Sequence, residues 1–484
     1  MSSCRQKSKI IFDTSSRYHH MKKNIIISLL LLLSLGTDVV SQNITIKGKI
    51  KPESESLIRL MIYDDMLTGE KTAVYETKSD KNGNFVIETE IDEIMPAQIA
   101  VGIEYVDIIL KPSSEYEVEV TIPQQDENTS YFERQPPMLK MINSTDDGLY
   151  LQYYKAESLI DNFVLEHFNQ LYRRRQKSLL DSIDVVIKKE LVTIKDDFVR
   201  DYVRYRKANI QMVVDGDDAK NVKNQYFNNQ EILYLQPAYM NLFHEIFSDY
   251  LVSWQFAPSD LQSAIRQGYD KFMTYIKSKD VFLSDNKELA ELVVAWNLKR
   301  MFYELSDERK YILNCLNAVG QNTKVTENKE VVENIVKQIE RLSFNTDAPQ
   351  FSLKDADGNI VNLSDYKDNM IVLQFVNRVS PMTDYQFQEL NNISQYWPAD
   401  TKIITIATDD SFDDFNKMIE EKSYKWDLLN LGDDILLLEK YQIKTFPDYI
   451  IIMPQNKIGM APASTPDQYL DYHLKRIYNY TLKK

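Results

Sequence analysis

The stretch that decides the fold is residues 370–383, with the sequence MIVLQFVNRVSPMT. Its first seven residues are apolar except for Gln374, which is typical of a buried strand. Residues 376–380 then form a short loop. Pro381 falls where the first turn of a helix would begin, a position that suits its fixed φ angle and its missing N–H. A side chain at Ser380 would therefore face the positive end of that helix.

The size and charge of the chain exclude several classes of protein. At 484 residues, the chain is too long for one ordinary core, so two or three domains are expected. Its formal net charge of -15 argues against nucleic acid as a partner, because phosphate binding needs a basic surface. With 30 tyrosines and only 12 glycines, the composition favours amphipathic helices and sheets over disorder.

The first 41 residues are predicted to be a leader and signal peptide. A basic segment starts at Met21, the apolar run Ile25–Leu35 follows, and small residues up to Ser41 fit a cleavage site. The apolar run is too short to span a bilayer as a stable helix, so an uncleaved anchor is the less favoured alternative. Residues 1–20 precede this signal and look unlike it, so we expect the signal peptide to start near Met21. The mature chain is predicted to be periplasmic or exported, without an integral membrane span.

Cysteine and histidine are too sparse for disulfide or metal chemistry. Cleavage would remove Cys4 and leave Cys315, which cannot form an internal disulfide alone. Cys315 lies in an apolar helical stretch, where it is interpreted as a small buried hydrophobic residue. His167 and His244 have no second ligand three or four residues away, so neither a metal site nor another cofactor is predicted.

Three regions differ in their pattern, and together they predict a multidomain protein. Residues 43–122 show short alternating strands and predict a small N-terminal β-sandwich that serves packing or docking. The polar residues 123–145 are predicted to be a linker. Residues 146–342 change to a helical period and predict an all-α middle region of six or more helices. Residues 347–484 alternate strands and helices, which predicts a C-terminal α/β domain.

One basic cluster interrupts the acidic helical region. Residues 172–177 have the sequence YRRRQK. The favoured interpretation is a solvated helix face, and the alternative is a grip on a carboxylate or phosphate partner.

The C-terminal domain contains four short motifs. They are Ala348-Pro349-x-Phe351-x-Leu353, Asp357-Gly358 ahead of Leu363-Ser364-Asp365-Tyr366, the strand ending at Phe375, and Thr445-Phe446-Pro447 ahead of an apolar strand. Together they resemble the thioredoxin fold, in the TlpA-like thiol-disulfide oxidoreductase branch that is also similar to the AhpC/TSA peroxiredoxins. The resemblance covers about the last 140 residues. The tandem of sandwich, helical insert and this domain behind a signal peptide resembles a recurring exported architecture of gram-negative bacteria.

The chain departs from this family at its redox motif. The family has Trp-Cys-x-x-Cys after the strand, and the resemblance places the two cysteines at Ser380 and Thr383, while Pro381 keeps its place. Exchange needs a thiolate to attack and a second sulfur to resolve the mixed disulfide, and hydroxyls supply neither. A serine nucleophile would need a base, and nothing pairs His473 with Ser380. No catalytic residue is therefore predicted at these degenerate positions.

The same resemblance implies a binding edge. In the family the proline that matches Pro447 is cis and lies beside the redox motif, so the backbone of Phe446 would pair with an extended peptide. The alternative is that Pro447 serves only the folding of its turn. The predicted binding residues are Phe446, Pro447 and Pro381.

The favoured function is a redox-inactive, thioredoxin-like protein of the cell envelope that binds a protein or peptide partner. The alternative is a thiol-disulfide oxidoreductase or antioxidant-type enzyme that uses Cys315 or a thiol of its partner. A third, weaker hypothesis is a domain that binds a redox-active small molecule without turning it over. The chain is thus predicted not to be an enzyme, and if it is one, to be a thiol-disulfide oxidoreductase.

Overall fold

The computed structural model describes residues 42–123, 135–191, 194–216 and 219–482. The predicted leader and signal peptide, residues 1–41, lie outside the described residues. Residues 124–134 of the predicted linker lie outside them as well.

The N-terminal region consists of two four-stranded sheets. Their strands are β1 (Gln42–Lys51), β2 (Leu57–Tyr63), β3 (Lys71–Lys78), β4 (Asn84–Ile91), β5 (Met95–Val101), β6 (Glu104–Leu110), β7 (Glu115–Thr121) and β8 (Met138–Ser144). The sheet orders are β4-β1-β7-β8 and β3-β2-β5-β6. Buried residues of both sheets share one apolar core, among them Ile46 and Val118 of the first sheet and Leu60 and Ile99 of the second. The predicted sheet-rich region is therefore present.

Two strands of this region were not predicted. Residues 138–144, placed in the linker by the sequence, form β8 and pair antiparallel with β7. Residues 71–78 form β3 and pair with β2. Both lie at the edge of a sheet, where a strand buries few side chains and its sequence pattern is weak. The linker prediction is thus wrong for residues 138–144.

Eleven α-helices lie in the described part of the middle region. They are α1 (Leu149–Glu166), α2 (Ser178–Glu190), α3 (Asp197–Asp215), α4 (Ala219–Phe227), α5 (Pro237–Phe247), α6 (Pro258–Arg266), α7 (Tyr269–Lys279), α8 (Val281–Asp285), α9 (Lys287–Glu304), α10 (Arg309–Asn322) and α11 (Thr326–Arg341). A π-helical turn, Asn169–Arg173, follows α1. The helical pattern over 259–277 is divided into α6 and α7 by Gly268, whose φ is 94°. No helix in the described ranges is long and apolar enough to cross a membrane.

The C-terminal α/β domain has a seven-stranded sheet within the described residues, in the order β10-β9-β13-β12-β11-β14-β15. Its strands are β9 (Ser352–Asp355), β10 (Ile360–Asn362), β11 (Met370–Val376), β12 (Thr401–Ala407), β13 (Asp427–Asn430), β14 (Asp448–Met453) and β15 (Lys457–Met460). Its helices are α12 (Pro381–Ser394), α13 (Phe412–Lys422), α14 (Ile435–Lys440) and α15 (Leu470–Thr481).

The strand β11 forms the centre of this domain, as its apolar sequence predicts. Every residue of β11 is buried, and the strand pairs parallel with β12 and antiparallel with β14. On one face Val372 packs with Leu390 of α12 and Leu474 of α15. On the other face Leu373 packs with Leu437 of α14. Apolar residues on both faces explain why this strand lacks the alternation of a surface strand.

The three regions contact one another through the loop between β2 and β3. Glu70 of this loop accepts a hydrogen bond from Gln338 of α11 at 2.9 Å and is paired with Arg341 of the same helix. The next residue, Lys71, lies 2.7 Å from the carboxylate of Glu439 on α14. The end of this loop and the first residue of β3 therefore connect the sheets with the helical region and the C-terminal domain.

Candidate functional site

The candidate site begins where β11 ends. Residues 377–380 form a loop, and α12 begins at Pro381, so the predicted helix start is confirmed. Ser380 is the N-cap residue, with extended backbone angles of φ -147° and ψ 162°. Its Oγ accepts a hydrogen bond from the backbone N–H of Thr383 at 3.1 Å. This is the usual geometry by which a serine satisfies a free N–H at a helix start.

The two hydroxyls at this helix start are bonded to each other. Ser380 Oγ and Thr383 Oγ1 are 2.7 Å apart, and Thr383 Oγ1 donates to the carbonyl oxygen of Arg378 at 3.1 Å. Because Thr383 uses its hydrogen on Arg378, the hydroxyl of Ser380 donates to Thr383. Thr383 is only 4% exposed. Among the described residues, no other side chain hydrogen-bonds to Ser380 Oγ. His473 contacts the rings of Tyr469 and Tyr472 instead.

The predicted binding edge lies at the same end of the sheet. The peptide bond between Phe446 and Pro447 is cis, as the family resemblance implies. Asp448, the first residue of β14, is paired with Phe375 near the end of β11. Since the two strands are antiparallel, Pro447 and the loop that leads to Ser380 lie at the same end of the sheet.

Exposed apolar side chains surround the start of α12. Val379 is 41% exposed, Met382 is 59% exposed and Tyr385 is 48% exposed. Pro381 between them is exposed as well. A cluster of exposed apolar groups of this kind is typical of a contact surface.

A buried polar layer supports α12 from below. Tyr449 of β14 donates its hydroxyl hydrogen to Gln386 of α12 at 2.9 Å. Gln374 of β11 is the residue that pairs with Tyr449 across the two strands, and its side-chain N–H donates to the hydroxyl of Thr405 on β12. The side-chain oxygen of Gln374, Oε1, is buried and has no hydrogen-bond partner among the described residues. Sequence analysis noted Gln374 only as a break in an apolar run, because its partners are distant in sequence.

Charged groups near the site are few. Asp384 in the first turn of α12 is paired with Lys422 of α13, and this hydrogen bond raises the pKa of Lys422. Burial raises the pKa of Asp448, the residue that follows Pro447. Asp448 was not among the predicted site residues, since nothing in its local sequence pattern indicates burial.

Cys315 is not part of this site. It lies on α10 in the core of the helical region, is 1% exposed, and directs its sulfur toward the carbonyl oxygen of Ile265 at 3.7 Å. Burial raises the pKa of its thiol to about 11. Ser380, Thr383 and Pro447 thus lie at one end of the sheet, whereas Cys315 lies in the helical region. In the described residues, no three His, Cys, Asp or Glu side chains are arranged to hold a metal ion.

The sequence of this domain matches one family model. Residues 344–461 match the AhpC/TSA family. The match covers only this C-terminal segment, which is less than half of the chain. The resemblance inferred from the four motifs is confirmed, and so is the thioredoxin-like character of the C-terminal domain. If the chain is an enzyme, the predicted class of thiol-disulfide oxidoreductase fits this family.

The solved structures similar to this chain cover between 26% and 30% of its length. The thioredoxin domain of a thiol-disulfide oxidoreductase from Bacteroides vulgatus is 26% identical, with 28% of this chain and 99% of that chain covered and a TM-score of 0.26. A thiol:disulfide interchange protein from Bacteroides sp. is 25% identical, with coverages of 29% and 92% and a TM-score of 0.26. An exposed lipoprotein thioredoxin from Streptococcus pneumoniae is 23% identical, with coverages of 26% and 99% and a TM-score of 0.23. A comparison with curated proteins finds no match.

Proposed function

We propose that the chain is an exported protein of the cell envelope whose AhpC/TSA domain binds a protein or peptide partner without thiol-disulfide chemistry. The observation behind this proposal is the hydroxyl pair of Ser380 and Thr383 at the start of α12. The family resemblance puts the two redox cysteines at these positions. Export is proposed from the signal-like segment before Ser41.

The chemistry of the hydroxyl pair supports a non-redox role. A helix N-terminus can lower the pKa of a cysteine enough to produce a thiolate near neutral pH. The pKa of a serine hydroxyl starts several units higher, and the only side-chain partner of Ser380 among the described residues is another hydroxyl, which is not a base. Exchange also needs a second sulfur, and Cys315 is buried on α10.

The binding edge is proposed to lie between the cis Phe446–Pro447 peptide and the start of α12. An extended segment would pair with the backbone before Pro447 and place side chains on Val379 and Met382. The N-terminal sheets are proposed to form a β-sandwich that packs or docks, as their shared core suggests.

An insulin-reduction assay tests the redox part of this proposal. The purified chain, with dithiothreitol as the reductant, is expected to reduce insulin no faster than a control with Cys4→Ser and Cys315→Ala. Turnover well above that control would refute redox inactivity.

Site-specific crosslinking tests the binding part. A photoreactive residue at Met382 is expected to capture a partner in the native envelope. The matched probe at Val281, which is exposed on a helix of the middle region, should not capture the same partner. Equal capture from both positions, or none from Met382, would contradict a partner site at α12.

The alternative, an enzyme that uses Cys315, has less support. A thiol that acts on a partner must reach it, and Cys315 is almost completely buried with a raised pKa.

A further inference from the structure

A second candidate site lies in the helical region. It is a cavity of about 690 Å³ bounded by the π-helical turn after α1, by α3 and by α5. From α3 it is lined by Arg206, Asn209, Ile210 and Val213, whose spacing puts them on one face of the helix. Its size falls in the range of small-molecule sites.

Two polar atoms in this wall have no partner. Arg206 Nε and Asn209 Oδ1 are both buried, and neither forms a hydrogen bond within the described part of the chain. The terminal nitrogen of Arg206 is paired with Asp161, so the guanidinium is held in place while its Nε–H stays free. Native proteins satisfy nearly all buried polar groups. A ligand that accepts from Arg206 and donates to Asn209 would satisfy both.

A third polar group that lines the cavity is the guanidinium of Arg175, a residue whose backbone has a positive φ. Arg175 has a φ of 47°, and its guanidinium lies where a Cβ of residue 216 would be. Gly216, itself at φ 61°, leaves the room that Arg175 occupies. Arg175 has no hydrogen bond or ion pair to the described residues. It belongs to the basic cluster of residues 172–177, for which the sequence left open a grip on an anion.

The rest of the cavity is mostly apolar or neutral. Val164 and Leu171 line it together with Ile210 and Val213. Burial and the nearby Lys299 lower the pKa of His244, which favours the neutral form of its ring. Glu245, at the exposed side, is the one acidic residue among the described lining residues, and it would oppose an anion there.

We propose that this cavity binds a carboxylate flanked by an N–H group and a short apolar side chain, the chemistry of an N-acylated amino acid. The carboxylate would accept hydrogen bonds from Arg175 and Arg206 Nε. The N–H would donate to Asn209 Oδ1, and the apolar side chain would pack on Ile210 and Val213. Inorganic phosphate would satisfy the arginines but would leave the apolar wall uncovered. The C-terminus of a peptide and a free N-acyl amino acid share this chemistry, and the proposal is independent of the site at α12.

Titration calorimetry with matched probes tests the proposal on the purified chain. The probes are N-acetyl-leucine and an N-acetylated tripeptide that ends in leucine, each as the free acid and as the C-terminal amide. The acids are expected to bind at least about tenfold more tightly than the amides, because charge-assisted hydrogen bonds to arginine are lost in the amides. A tighter tripeptide would identify a peptide C-terminus as the source, and equal affinities would identify the free amino acid. Equal affinity of acid and amide, or no binding at about 10 mM, would overturn the proposal.

Variants of the arginine cluster locate the binding. Arg175→Gln is expected to weaken binding of the acid about tenfold, whereas its neighbour Arg174→Gln, with the same loss of charge but outside the cavity lining, should change it less than about twofold. Equal losses in both variants would overturn the proposal in favour of a general basic surface.

A variant that is expected to bind more tightly separates an effect on the ligand from damage to the fold. Glu245→Gln removes the opposing charge and is expected to tighten binding of the acid roughly two- to fivefold, which a damaged fold cannot do. Unchanged or weaker binding of the acid in this variant would contradict a carboxylate at this end of the cavity.

Discussion

The backbone N–H of Thr383 donates to Ser380 Oγ at 3.1 Å, so the side chain of Ser380 fixes the start of α12. This bond satisfies a donor that the helix cannot satisfy internally. The position therefore has a structural role that is open to measurement without any knowledge of the partner.

Removal of this cap should destabilise the domain. Ser380→Ala is expected to lower the free energy of unfolding by about 1 kcal/mol, the usual cost of losing a serine N-cap, and Ser380→Asp should restore most of it. Chemical denaturation measures both. Ser364→Ala, at an exposed serine of the same domain, is the control and should change the free energy of unfolding by less than about 0.5 kcal/mol. An equal effect of the two alanine variants would argue against the cap.

Two cysteines should restore redox chemistry if the positions are the redox positions of the fold. Because the two hydroxyl oxygens are 2.7 Å apart, Ser380→Cys with Thr383→Cys is expected to form a disulfide and to reduce insulin with dithiothreitol. The cysteine at 380 would gain a lowered pKa from the helix N-terminus.

The single variant Ser380→Cys is the control for this experiment. It lacks a resolving sulfur and should form mixed disulfides without efficient turnover. A double variant that stays fully reduced and inactive would contradict the assignment of positions 380 and 383.

Cys315 should be unreactive in the native protein. Burial raises the pKa of its thiol to about 11 from 9.0, which lowers the thiolate fraction near neutral pH about a hundredfold. In a Cys4→Ser background, a thiol reagent at pH 8 is expected to label the unfolded chain rapidly and the native chain at least about a hundredfold more slowly. Rapid native labelling would revive the enzyme hypothesis.

The contact between the three regions should weaken in acid. Burial alone would raise the pKa of Glu70, but hydrogen bonds from Gln338, Arg341 and Lys337 outweigh it, and the pKa lies below its usual range. The folded-state pKa is therefore below the unfolded value of about 4.5. The stability that Glu70 contributes is present above that pH and is lost as the pH falls through the folded-state pKa.

A neutral variant at this position measures the contribution. Glu70→Gln is expected to lower the free energy of unfolding by about 1.5–3 kcal/mol at pH 7, as for hydrogen bonds to a charged group, and to flatten its dependence on pH below 4.5. Glu55→Gln, at an exposed position of the same sheet region, should leave both unchanged. Parallel pH profiles for Glu70→Gln and the unmodified chain would refute this role.

Sequence analysis succeeded where the signal is local and strong. The apolar run of β11 and the proline at position 381 placed the central strand and the start of α12 correctly. The four motifs of the C-terminal domain together indicated the family, and the cis peptide between Phe446 and Pro447 agrees with that resemblance. Each of these features depends on residues close together in sequence, so it can be recognised without knowledge of tertiary contacts.

Other features depend on distant partners and were missed. The edge strands β3 and β8 bury too few residues to stand out. Gln374 and Tyr449 belong to one buried polar layer only because β11 and β14 are neighbours in the sheet. The room for Arg175 is created by Gly216, about forty residues later, and no local pattern links the two.

The order of strands in the first sheet has a consequence for the way the chain becomes a folded protein. During synthesis β1 emerges ahead of both its neighbours, β4, which begins at Asn84, and β7, which begins at Glu115. Until those residues follow, β1 has two open hydrogen-bonding edges and a row of isoleucines. Strands in that state associate with other chains. The nascent N-terminal region should therefore depend on a holding chaperone until residue 121 has emerged.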